Sequence, residues 1–184
     1  TGYSVTLTAD SVINNRFASS VVNFSSQYTP GGWSTAEILG APDVYPNYGD
    51  NQNAWSPSTE DGPREYIVLA FDQPGPINFI DIYETLNPGT VDTVYVKNPS
   101  TGLYVPVYSA TALPTPPVAG IKHITFPTTV FSVSEIRIAM NTLAVPGRNE
   151  IDAVSIGNAY TNYLWSNGVL AKSITVNTAG TYSV

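Results

Sequence analysis

The 184 residues carry seven Lys and Arg against fourteen Asp and Glu, a formal net charge of −7, and only 11% of the residues are charged. Neutralising a phosphate backbone takes clustered Lys and Arg, so this balance excludes a nucleic-acid interface. The absence of cysteine removes disulfides, thiolate nucleophiles and cysteine-ligated zinc, and a single histidine excludes most metallohydrolase centres.

Fifteen prolines and fourteen glycines break the chain into short segments rich in Thr, Ser, Val, Ile and Tyr, the composition of strands joined by turns. The predicted strands are Tyr3–Leu7, Glu65–Phe71, Ile77–Tyr83, Val91–Lys97, Tyr104–Val107, Ile121–Phe126, Glu135–Met140 and Ile151–Ile156. Ile136, Ile138 and Met140 alternate with Arg137 and Ala139, which gives one buried and one wet face. Turn signals every ~10–15 residues favour an all-β jelly-roll sandwich over a fold that alternates strands with helices. No apolar run approaches the ~20 residues needed to span a bilayer.

Between Asn23 and Pro63 lies a long irregular stretch, the kind of loop that is functional or ion-ordered. Within it, Ser34-Thr35-Ala36-Glu37 has the pattern of a capping box, with Ser34 as N-cap, Gly40 as the stop and Pro42 blocking resumption. The predicted sandwich occupies residues 1–157. After Gly157 the character changes. Tyr163–Gly168 reads as strand then turn, and Ser173–Val176 and Thr181–Val184 read as two further strands. Residues 158–184 are therefore expected to be a linker and the first strands of a second β-domain, and Thr1 a mature start.

Several collinear motifs run from Ala18 to Val154: Ser19-Ser20-Val21-Val22-Asn23, Trp33-Ser34, Leu39-Gly40-Ala41-Pro42-Asp43, Ala54-Trp55, Asn87-Pro88-Gly89 and Asn149-Glu150-Ile151-Asp152. In these the chain resembles the discoidin-like, galactose-binding-like jelly rolls of large secreted bacterial proteins. The resemblance implies a binding module rather than an enzyme, with a structural calcium ion and an exposed loop face for glycans. Where many relatives of that kind carry an aromatic residue before the Asn-Glu-Ile-Asp motif, this chain has Arg148. The tail from Tyr163 to Val184 resembles the Ig-like repeats of Bacteroidota surface adhesins.

Calcium requires six to eight hard oxygens. The expected carboxylates are Asp43 and Asp50 from the irregular stretch and Glu150 and Asp152 from the last strand, on one face of that strand by alternation. A sugar platform pairs an exposed aromatic with polar donors. Tyr45, Asn47, Tyr48, Arg64, Arg148 and Asn149 are the expected ligand residues, with Tyr28 nearby, whereas Trp33 and Trp55 sit where an aromatic is more often core. Catalysis is not expected. His123 stands alone in a strand, no Gly-x-Ser-x-Gly elbow is present, and Glu65, Glu84, Glu150 and Asp152 are acids of the kind any acidic domain offers. The reading is a secreted or cell-surface, calcium-stabilised module that binds carbohydrate or an adhesive ligand within a larger protein. The rival reading is a spacer or filament subunit in which Thr1–Leu7 and Ser173–Val184 join the sheets of neighbouring domains or chains.

Overall fold

The structure, a computed structural model, describes residues 4–8, 13–159 and 164–184. Its contacts divide the chain into two units, Asn15–Asn158 and, separately, Thr1–Asn14 with Ala159–Val184. The strands in chain order are β1 (Val5–Thr8), β2 (Ile13–Phe17), β3 (Ser20–Phe24), β4 (Glu65–Gly75), β5 (Phe79–Leu86), β6 (Val91–Lys97), β7 (Tyr104–Ser109), β8 (Gly120–Thr125), β9 (Val133–Met140), β10 (Glu150–Ala159) and β11 (Ser173–Val176).

The larger unit is the jelly-roll β-sandwich. One sheet has the order β2-β10-β5-β8 and the other β3-β4-β9-β6-β7. Their inner faces meet in one continuous cluster: Ile67 and Leu69 from β4, Ile136, Ile138 and Met140 from β9, Ile80 and Ile82 from β5, Ile151 and Ile156 from β10. Most are β-branched, and in β4, β5 and β9 they take the alternate positions that a half-buried strand places inward. Each such side chain, taken fully from water, contributes about 1.5–3 kcal/mol of hydrophobic free energy. Trp55, fully buried, plugs one end of the cluster. It exchanges both backbone hydrogen bonds with Ile151 at 2.9 and 3.0 Å, and its indole N–H donates to the Ser26 carbonyl at 3.2 Å.

Two strands lie outside the predicted set. Neither β2, Ile-Asn-Asn-Arg-Phe, nor β3 offers a clean apolar alternation, and β3 contributes only Val21 to the packing. The capping-box segment forms a single 3₁₀ turn, Thr35–Ile38, started by Ser34 and ended at Leu39. The Ser34 hydroxyl bonds the Glu37 carboxylate at 3.3 Å rather than a backbone amide, and the free Thr35 N–H is met instead by Gln27 Oε1 at 3.0 Å.

The register fixes where the loops converge. Glu65 pairs with Met140, Met140 with Val91, and Glu150 with Leu86. The long stretch before β4, the β5–β6 turn and the β9–β10 loop therefore leave the two sheets at one end, and that end holds the expected site residues.

In the smaller unit β1 pairs antiparallel with β11, Val5 opposite Val176 and Leu7 opposite Ile174. Trp165 and Ile174 form its core, with Leu7, Val176 and Tyr182 against them. The two segments expected to seek a neighbour's sheet thus pair with each other. Thr181–Val184 is not a strand; Ser183 is tied instead to Ser166 by two hydrogen bonds, 2.8 and 3.2 Å. Tyr3 and Tyr163, included in the predicted strands, lie outside the described residues.

Candidate binding site at the loop end

The site begins with two acids, an amide and an isoleucine, Asn149 to Asp152, at the start of β10. Alternation would put Asn149 and Ile151 on one face and Glu150 and Asp152 on the other, yet all four are buried, because loops cover both sides of this strand end. Asp152 accepts the backbone N–H groups of Asp43, Val44 and Tyr45 at 3.3, 3.2 and 2.8 Å, so one carboxylate fastens three consecutive residues of the long stretch. Burial pushes its pKa up, and the three amides act against that rise.

Glu150 does the same for the next loop segment. It accepts the Asn51 N–H at 3.1 Å and the Trp33 indole N–H at 3.0 Å, and Asp50 shares that indole at 2.7 Å. Burial first, and the adjoining Asp50 carboxyl second, push the Glu150 pKa up to about 8, so the side chain is protonated at neutral pH. Asn149, at 3% exposure, donates its amide N–H groups to the Asn87 and Val145 carbonyls at 3.0 and 3.4 Å and ties the β5–β6 turn to the β9–β10 loop.

These contacts bear on calcium. The four expected ligands fall into two places, Asp43 with Asp152 and Asp50 with Glu150, and the buried pair faces N–H donors. A cation needs the opposite environment, several oxygens converging on one point. Among the described residues no group of three acidic or histidine side chains converges in that way. Asp152 and Glu150 here anchor loop N–H groups.

Above this buried layer sits an exposed one. The Arg148 guanidinium lies over the Tyr28 ring, 3.8 Å from its centre, and Tyr28 meets Trp33 edge-on at 5.6 Å. Arg148 donates to Glu60 at 3.3 Å, while its Nη1, shielded from solvent, has no acceptor among the described residues. Tyr48, 40% exposed, donates its hydroxyl to Asn87 Oδ1 at 3.0 Å, and the Asn87 amide donates to the Arg148 carbonyl at 2.8 Å. Tyr28 is 44% exposed. An open tyrosine backed by a guanidinium, with a second open tyrosine on the same loop end, presents flat apolar surface and directed donors together, the combination that sugar C–H faces and hydroxyls require.

The backbone marks the same place. Among the described residues, the non-glycine positions with positive φ are Trp33 (53°), Asp61 (46°) and Asn87 (42°). All three hold the site: Trp33 through its indole, Asn87 through Tyr48 and Arg148, and Asp61 by accepting the Gly147 N–H at 2.9 Å. Gly147 has φ 88°, and a Cβ there would lie 2.9 Å from the Asn87 amide, so the turn before Arg148 requires glycine. Conformations of this kind cost about 1–3 kcal/mol each and persist where surrounding contacts over-determine them.

The expected ligand residues divide accordingly. Tyr48 is exposed, and Arg148, largely enclosed, backs the exposed Tyr28 ring. Asn47 is exposed and donates to the Val44 carbonyl at 3.0 Å. Tyr45 is half-buried, edge-on to Tyr83 at 5.4 Å. Asn149 is enclosed as described. Arg64 sits at the same end but is paired to Asp92 at 2.6 Å. Trp33, expected in the core, is instead half-buried with its indole facing the acids, whereas Trp55 is core as expected. Tyr28, Glu60, Asp61 and Asn87 complete the site without having been among the expected ligands. His123 pairs across strands with Asp81 on an exposed surface.

Known proteins place the fold. The chitosan-binding module 1 of a chitosanase/glucanase from Paenibacillus sp. IK-5 superposes with a TM-score of 0.53 at 15% identity, covering 79% of this chain and 93% of that one. The family 32 carbohydrate-binding module of Streptococcus pneumoniae EndoD gives 0.57 at 12%, covering 76% and 94%. The N-terminal domain of the single-strand break repair protein XRCC1 gives 0.55 at 13%, covering 77% and 97%. At these identities the likeness is one of fold. No curated protein matches. The model of the family described as Pappalysin-1, SD scarf domain, C-terminal matches residues 7–164, most of the sequence, and the chain belongs to that family.

Proposed function

We propose that this domain is a non-catalytic binding module that takes a carbohydrate at its loop end, as part of a secreted or cell-surface protein. The observation that carries the reading is the open Tyr28 ring, backed by the Arg148 guanidinium, with the exposed Tyr48 joined to the same loop through Asn87. Preorganised donors on a fixed platform lose little freedom when a ligand arrives. Two of the structural neighbours are a chitosan-binding module and a family 32 carbohydrate-binding module, which makes glycans the ligand class to test first. The acids of this end are occupied in anchoring loops: Glu65 receives the Ser25 hydroxyl, Glu84 the Gly89 N–H, and Asp152 three amides. Such carboxylates hold structure in place.

The test is a glycan-array screen of the chain beside its Arg148→Gln variant. Binding that disappears in the variant while the melting temperature stays within a few degrees supports the reading. Binding that survives unchanged would place the ligand elsewhere on the molecule.

A further inference from the structure

The outer face of the five-stranded sheet carries a second feature. β4, β9, β6 and β7 set Val68, Arg137, Tyr95 and Pro106 side by side across the sheet, with Tyr66, Glu135, Lys97 and Tyr104 in neighbouring positions. These are the outward partners of the core positions, and a chain of low charge could fill them with Thr and Ser. Here they form a concavity of about 340 Å³ bordered by Val22 and Asn23 of β3. That volume falls within the range of small-molecule sites, about 300–1,000 Å³.

The partners inside it are unequal. Glu135 accepts both Lys97, at 3.0 Å, and the Tyr104 hydroxyl. Arg137, on the same strand and the same face, has no acid or carbonyl. Its guanidinium rests on the Tyr66 ring, 4.4 Å from the centre, and its Nε is shielded from solvent with no acceptor among the described residues. The other three arginines each reach oxygen: Arg16 at the Gly75 and Val133 carbonyls, Arg64 at Asp92, Arg148 at Glu60. Two cations against one carboxylate leave this concavity positive on a chain whose net charge is −7. A guanidinium oriented by an aromatic ring, with no acid on its terminal nitrogens, is a fork for a planar carboxylate.

We propose that the outer face of this sheet is a second binding site, specific for a carboxylate-bearing sugar such as a hexuronate unit of an acidic oligosaccharide. Arg137 receives the carboxylate through its two terminal nitrogens. Tyr104 and Val22 offer apolar surface to the ring, and the Asn23 amide offers hydrogen bonds to hydroxyls. The site is independent of the loop-end platform.

The experiment is an amide NMR titration of the full chain with trigalacturonate, with neutral galactotriose and acetate as the comparison arms. Three proteins are used: the unaltered chain, Arg137→Gln and Arg148→Gln. The expected result is saturable movement of the amides around Tyr66, Tyr95 and Arg137 with trigalacturonate alone, weakened at least tenfold in Arg137→Gln and retained in Arg148→Gln. Arg137→Lys, which keeps the charge and loses the fork, is expected to weaken binding as well. Movement confined to the loop end, equal movement with galactotriose or acetate, or titration unaltered by Arg137→Gln would each overturn the proposal.

Discussion

The loop end and the outer sheet face use arginine and tyrosine in the same way but are supported differently. At the loop end, Arg148 and Tyr28 stand on irregular backbone that buried side chains hold in place: Asp152 under residues 43–45, Glu150 under Asn51 and Trp33, Asn149 under Asn87. On the sheet face, Arg137 and Tyr66 stand on a paired strand ladder, and no buried acid is needed beneath them. The difference teaches where fragility lies. Removing a buried acid should disorder the loop platform and leave the sheet face intact, because only the first depends on side chains for its backbone geometry.

The largest expected effect tests the foundation common to both. Trp55→Ala empties the end of the core and breaks the seat of the Ile151 bridge, at an expected cost of about 3–5 kcal/mol in urea denaturation. A cost below about 1 kcal/mol would mean that Trp55 is not the plug the packing indicates.

The next separates the two regions. Asp152→Ala leaves three backbone amides of residues 43–45 without their acceptor. It should cost on the order of 3 kcal/mol, with hydrogen-exchange protection lost at 43–45 and kept in β4 and β9. Loss spread evenly over both sheets would contradict the distinction.

A third effect comes from Glu150. Its pKa in the fold stands at about 8, above that of a free glutamate, so the folded chain binds more protons than the unfolded one across the interval between them. Stability is therefore expected to fall as pH rises, by on the order of 2 kcal/mol from pH 5 to pH 7. Glu150→Gln, which keeps the acceptor for Trp33 and Asn51, should remove that slope. A variant with the slope intact would assign the titration to another group.

The smallest effect concerns calcium. With the buried acids facing N–H donors, millimolar calcium should raise the melting temperature of the chain by less than about 1 °C, since an ion stabilises only as far as it binds the folded state. A rise of several degrees that vanishes in Glu150→Gln would show that the loops rearrange to present oxygens to the ion.

Much of the sandwich was legible in the residues. The alternation in the middle of β5 and β9 is readable because one face of each strand meets the core, whereas β10 is buried on both faces and was found by its apolar run. β2 and β3 escaped because short strands with Asn and Arg in their middle carry no period. The site was half legible. Tyr48 and Arg148 were identifiable as loop residues with binding chemistry, but spacing says nothing about partners joined only in the fold. Trp33 and Glu150 are 117 positions apart, and their hydrogen bond converts an expected core residue into a loop anchor. The positive φ of Asn87 and Asp61 was the signal available in principle, since Asn and Asp tolerate that conformation and each adjoins a Pro or Gly.

The central claim is that the exposed Tyr28–Arg148 platform binds carbohydrate while contributing little to stability. The most direct measurement is calorimetric titration of Tyr28→Ala against the unaltered chain with the best glycan from the array, paired with urea denaturation of both. The account predicts at least a tenfold loss of affinity with a stability change within about 1 kcal/mol. Unchanged affinity, or lost affinity that accompanies unfolding of the loop, would contradict it.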